Sequence, residues 1–283
     1  MRRSVASSPF NQSFAGIVWS LATKLLAIAA VTLLPACTTP TRAESPPPKL
    51  DHVIVVIMEN HTYRQIIGNS DAPYIQYLAK GGALFTNSYA VTHPSQPNYL
   101  ALFSGSTHRV TDNDVHDLDG PTLAGELRRA QRSFVGYRDR GSPRKHNPWE
   151  SFAGSDDVGV DFDDFPDNLD ELPAVSFVIP NLDHDMHDGS IERADDWLKD
   201  NLGDYVAWCK THSSLLILTF DEDDDRSSNR IATIFYGAQI VPGKYDQHID
   251  HYSVLRTIEE MYDLPLLGNS AKAQPIEGIW KKT

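Results

Sequence analysis

Three apolar runs, each ended by a cluster of acids, amides or histidines, constrain this chain more than any other feature. The run VIVVIM at 53–58 is continuous and rich in β-branched residues, the pattern of a strand buried on both faces of a parallel sheet. Ala174–Ile179 and Leu215–Phe220 repeat it, Ile231–Tyr236 is a weaker version, and Ser133–Tyr137 is a further strand candidate. Helical patterns separate the runs. In the clearest, Ile191, Ala194, Trp197, Leu198, Leu202, Tyr205, Val206 and Cys209 share one stripe after Ser190. Pro121–Gln131 and Tyr252–Tyr262 read as further helices. Alternating strands and helices predict a single α/β domain with a mostly parallel central sheet and helices on both faces.

Sheets of this kind bind ligands beyond the carboxyl ends of their strands. The residues just after each run are therefore informative. Glu59 and Asn60 come after the first, and PNLDHDMHD at 180–188 comes after the second. The third leads into Asp221, Glu222 and three more aspartates. Asp183 and His187 have a spacing that can place a carboxylate and an imidazole on one metal, with His184 an alternative to His187. Adjacent carboxylates such as Asp221 and Glu222 supply hard oxygen ligands. Each cluster alone also reads as a polar turn. Three on one sheet edge read as a site.

The stretch THPSQPNYL at 92–100 holds a candidate nucleophile, Ser95. Ser95 can cap a helix running to about Phe103, with Pro97 tolerated in the first turn. The same position exposes a hydroxyl to free N–H groups and a positive dipole, which suits a phosphate. A metal beside it would make the hydroxyl nucleophilic. Downstream, Asn113 lies in a polar loop and could donate to a phosphoryl oxygen. The segment 137–149 is basic, and Arg144, Lys145 and His146 could hold phosphate or protonate a leaving group, or form an ordinary surface loop. His248, Asp250 and His251 precede the last helical pattern. His251 could complete a metal site with Asp183 and His187, or pack against the helix start.

Charge excludes one large class of function. There are 25 Lys plus Arg against 38 Asp plus Glu, a net charge of −13, so no basic surface for a nucleic-acid polymer is expected. Two cysteines, Cys37 and Cys209, provide neither a disulfide framework nor a cysteine-rich zinc site. Arg2, Arg3 and Lys24 lead into an apolar run, Leu25–Leu34, too short to span a bilayer and suited to the core of an export signal. LPAC at 34–37 resembles a bacterial lipobox, which implies lipid on Cys37 as the sole membrane attachment. Residues 1–36 are thus expected to be a lipoprotein export signal, 37–49 a Pro-rich tether and 50–283 the folded domain. The expected location is the bacterial cell envelope, lipid-anchored, or secreted.

Taken together, VIVVIMEN at 53–60, THPSQPNYLALFSG at 92–105, KHNPW at 145–149, FVIPNLDHDMHDG at 177–189, LILTFDEDD at 216–224 and DHYSVLRTIEEMYDLP at 250–265 resemble the phosphoesterase family of bacterial acid phosphatases and phospholipases C. That family belongs to the alkaline-phosphatase-like superfamily. The resemblance implies Glu59, Asn60, Asp221 and Glu222 as metal ligands and Ser95 as nucleophile. It implies Asp183, His187 and His251 as a second metal site, or the two histidines as phosphate contacts if one metal binds. His146 would lie near the phosphate, and Asn113 matches by position alone. The implied cofactor is one or two divalent ions, Mg, Ca or Zn. The implied partner is a phosphate ester, with lipid or nucleotide phosphates among the candidates. The implied reaction is phosphomonoester hydrolysis through a phosphoserine. A phospholipase C-type diesterase is the alternative, although relatives of that type usually carry extra C-terminal modules and only residues 266–283 lie beyond the last match.

Overall fold

Val53, Val55 and Ile57 face one apolar cluster while Ile54, Val56 and Met58 face another. This alternation shows in the computed structural model why the first run contains no polar residue: its strand is buried on both sides. The structure describes residues 46–282. The expected export signal, Cys37 and most of the tether lie outside the described residues.

The strands are β1 His52–Met58, β2 Ala83–Tyr89, β3 Phe134–Arg138, β4 Gly159–Asp161, β5 Val175–Ile179, β6 Ser214–Phe220, β7 Arg230–Gly237, β8 Gly243–Tyr245 and β9 Ile249–Asp250. The helices are α1 Tyr63–Ile66, α2 Pro73–Gly81, α3 Ser95–Ser104, α4 Leu123–Arg129, α5 Ile191–Trp208 and α6 His251–Met261. One sheet runs β4-β3-β5-β1-β6-β7-β2-β8, and β9 also pairs with β2. All pairings are parallel except those of β7, which runs against both β6 and β2. The short connection 221–229 accounts for this: it can turn the chain back but cannot carry a crossover to a parallel neighbour.

The helices divide between the two faces. Leu100 and Phe103 of α3, Leu127 of α4 and Leu255 and Ile258 of α6 pack on one. Ile75 and Leu78 of α2 and Trp197, Leu198 and Leu202 of α5 pack on the other. Ser190 caps α5 by accepting from the Arg193 N–H, at the start of the expected stripe. Cys209 closes that stripe as a buried small hydrophobe. The arrangement is the expected α/β fold with a mostly parallel sheet.

β2 was not legible as a strand because ALFTNSY mixes apolar and polar residues and shifts register between Phe85 and Ser88. β4, β8 and β9 are of three, three and two residues, too short to carry a period. Gly105 ends α3 in the left-handed region at φ 72, where a Cβ would stand 2.0 Å from the Leu267 carbonyl oxygen.

Candidate active site

β1 lies between β5 and β6 and is parallel to both, so the residues after their carboxyl ends meet. Main-chain bonds tie the three loops together. The Asp221 N–H donates to the Met58 carbonyl at 2.9 Å, and the Glu59 N–H donates to the Asp185 carbonyl at 2.8 Å. The fourth contributor is α3, which comes after β2 and places its first residue over the same edge.

Ser95 opens α3 but does not cap it. Pro94 occupies the cap position, and the Ser95 hydroxyl instead faces two carboxylates, Glu222 Oε1 at 3.1 Å and Glu59 Oε2 at 3.2 Å. Asn98 holds the preceding turn. Its Oδ1 accepts from the Val91 and Thr92 N–H groups and its amide donates to the Thr92 and Pro94 carbonyls. Asn113, on an exposed loop, accepts the Gln96 N–H in the first turn of α3 at 3.0 Å. The Asn60 N–H donates to Asp221 Oδ1 at 3.2 Å, while Asp221 Oδ2 is buried without a hydrogen-bond partner.

A second group lies behind Glu59. The Tyr99 hydroxyl donates to Glu59 Oε1, and the Tyr99 ring stacks on His146 with centroids 4.9 Å apart. His146 is fully buried, with Nε2 3.0 Å from Glu59 Oε1 and Nδ1 3.6 Å from Asp185 Oδ2. Ligand atoms of Glu59, His146 and Asp185 lie within 4.8 Å of one another, close enough to share one ion. The two carboxylates approach different ring nitrogens, and neither nitrogen has a hydrogen-bond partner. A cation shared by the three side chains would satisfy one of these nitrogens.

The remaining sequence candidates fall around this centre or away from it. His187 is exposed at the rim, its Nδ1 2.7 Å from Asp188 and its ring 6.4 Å from that of His146. His251 is buried at the start of α6, and its Nε2–H donates to the Asp221 carbonyl at 2.7 Å, with Asp250 capping the helix. Asp183 stands apart on the surface, 3.4 Å from Arg193. His184 lies 2.5 Å from Asp139 and stacks on Trp197. Arg144 is spent on the His116 and Glu150 carbonyls, and Lys145 is half-buried. Four neighbours went unmarked in the sequence: Asp185, Tyr99, Asn98 and His93. Asp185 lies in the same acidic stretch as Asp183, two residues on. Tyr99 lies four residues after Ser95, one helical turn away, and this spacing was the available signal.

Electrostatics sharpen the picture. Burial pushes the Glu59 carboxyl up, opposed by the Tyr99 hydrogen bond. Burial and then the Glu59 charge push Asp221 well up. Burial raises Glu222 to about 7 and Asp185 to about 8. His146 is driven well below its usual range, first by burial and then by the Lys145 charge. Buried carboxylates in this number need protons or a cation to offset their charge.

The fold is similar to that of proteins in the alkaline phosphatase superfamily. A protein of that superfamily from Vibrio parahaemolyticus superposes with a TM-score of 0.57 at 14% identity, over 82% of this chain and 72% of that one. The phosphonate monoester hydrolase of Agrobacterium radiobacter gives 0.53 at 13% identity, over 76% and 74%. The chain belongs to the Phosphoesterase family, whose sequence profile matches residues 69–265. A Mycobacterium tuberculosis protein named phosphatidylinositol-3-phosphatase is 46% identical over 84% of this chain and 85% of its own length. The phosphate-repressible acid phosphatase of Penicillium chrysogenum is 32% identical over 68% of this chain and 54% of its own length, so this chain spans about half of that relative.

Proposed function

We propose that this phosphoric-ester hydrolase is an exported, metal-dependent phosphomonoesterase of the acid-phosphatase type that works through a phosphoserine. One observation carries the reading: the Ser95 hydroxyl, at the first residue of α3, is held between Glu59 and Glu222. A hydroxyl so placed has carboxylates to take its proton and helix N–H groups ahead of it.

The donor set fits a divalent cation. Glu59, Asn60, Ser95, Asp221 and Glu222 offer oxygen donors, and the unpartnered Asp221 Oδ2 marks a buried position that a cation would satisfy. When bound, the ion would supply positive charge to the Ser95 oxygen and to the phosphoryl group. The chain's own groups do the rest. Tyr99 orients Glu59 from below, and Asn98 and Asn113 hold the turn and first N–H groups of α3. Ser95 Oγ forms the bond to phosphorus, its proton passes to Glu222 or Glu59, and the bond to the ester oxygen breaks. The departing alcohol takes a proton from a donor at the rim, where His187 and Lys145 are accessible and His146 is not. Water then cleaves the phosphoserine to phosphate and free Ser95.

A lipid-borne phosphomonoester is the substrate class we favour, supported by the relative named phosphatidylinositol-3-phosphatase. A phospholipase C-type diesterase is the competing reading. Lipid attachment at Cys37 would hold the enzyme in the cell envelope. The test is release from p-nitrophenyl phosphate and its bis-ester by the purified chain, with and without EDTA, beside Ser95→Ala. Monoester turnover lost on chelation and in Ser95→Ala is expected. A preference for the diester overturns the phosphomonoesterase assignment, and an active Ser95→Ala overturns the phosphoserine.

A further inference from the structure

We propose that His93 is a positioning residue that sets the orientation of Glu222, so that one carboxylate oxygen is held by the imidazole and the other is presented to Ser95. The inference rests on the proposed cation site. Glu222 uses its two oxygens separately: Oε2 stands 2.7 Å from His93 Nδ1 and Oε1 stands 3.1 Å from Ser95 Oγ. The terminal torsion of a glutamate is broad, so its own rotamer preference does not select this orientation. A donor fixed on Oε2 does.

On its far side His93 faces two more carboxylates. Its Nε2 lies 3.4 Å from Asp223 Oδ1 and 3.4 Å from Asp225 Oδ1. Asp223 is itself fixed, because its carboxylate accepts the N–H groups of Asp225, Ser227 and Asn229 at 2.8–2.9 Å. Asn229 then closes the arrangement. Its amide donates to the Thr92 carbonyl at 2.7 Å, and its Oδ1 accepts the Asp223 N–H at 2.8 Å. The loop before the nucleophile and the loop after β6 are thus clamped together by Asn229 through the main chain and by His93 through Glu222. This couples the position of Ser95 to that of its carboxylate partner, although the two lie 127 residues apart in sequence.

The experiment is calorimetric titration of Ca2+, Mg2+ and Zn2+ into the chelator-stripped chain, comparing wild type with His93→Leu, His93→Gln and Asn229→Ala. For the ion that wild type binds most tightly, His93→Leu is expected to weaken binding about 10–100-fold, the usual effect of removing a partner that orients a ligand. His93→Gln keeps a donor and should recover part of that loss. Asn229→Ala should fall between wild type and His93→Leu. At saturating metal, kcat falls in His93→Leu while KM and the melting temperature of the stripped protein stay near wild type. Unchanged metal affinity in both His93 variants overturns the inference and leaves the cation site standing, as does a rise in KM alone, which would make His93 a substrate contact. A wild-type chain that binds none of the three ions overturns the cation site itself. If His93→Leu does not fold, His93→Gln and Asn229→Ala carry the comparison.

Discussion

The Tyr99 hydroxyl donates to Glu59 Oε1 at 2.6 Å, and both side chains are buried. One turn of α3 thereby links the nucleophile's helix to the carboxylate at the end of β1. Tyr99→Phe removes the donor and leaves the ring on His146. A hydrogen bond to a charged buried group is worth about 1.5–3 kcal/mol. Turnover is expected to fall about tenfold or more in Tyr99→Phe. Denaturant unfolding and steady-state kinetics check the two effects.

Asp183 and Asp185 are expected to part company. Asp183 is exposed beside Arg193, and an exposed pair of this kind contributes about 0–1 kcal/mol. Asp183→Asn should leave stability and kcat close to wild type. Asp185 is buried with Oδ2 3.6 Å from His146 Nδ1 and its carbonyl on the Glu59 N–H. Asp185→Asn should cost about tenfold or more in turnover. Equal effects in the two variants would contradict this division.

Glu259, on α6, gives a pH signature. Burial raises its carboxyl to about 7, although the Ser270 hydroxyl and the Leu267 N–H donate to it. Between its unfolded value and about 7 the folded chain keeps a proton that the unfolded chain releases. Its contribution to stability is therefore greatest in acid, falls as pH rises through that window, and is level above it. Glu259→Gln should remove up to about 3 kcal/mol of this pH dependence. Unfolding free energies at pH 5 and pH 8 for both proteins measure it. Matching slopes would refute the raised carboxyl.

Gly136 on β3 has no room for a side chain: a Cβ there would stand 2.4 Å from the Trp149 ring. Trp149 is fully buried just after the His146 turn. Gly136→Ala should cost about 1–3 kcal/mol through overpacking. It should also displace His146, so that turnover falls with stability. Thermal melting and activity of the same preparation test the coupling.

Much of this arrangement was legible in one dimension because it rests on local periodicity. VIVVIM must be buried on both faces, and the stripe from Ile191 to Cys209 must lie on one side of a helix. Two parallel neighbours of β1 then bring the residues after their ends to one edge, and so the meeting of Glu59, Asp221 and Glu222 comes from strand position alone. What the chain did not reveal depends on contacts between distant segments. β2 takes its strand form from pairing with β7, β8 and β9, since its own residues alternate poorly. The choice of Asp185 over Asp183 turns on which carboxylate the loop folds inward, which spacing does not encode. The pairing of His93 with Glu222 arises only when the loop after β2 meets the loop after β6. Periodicity is a property of neighbours along the chain and can be read there. The direction of a side chain in a loop is set by the partners that satisfy it, and only the folded structure brings those partners within reach.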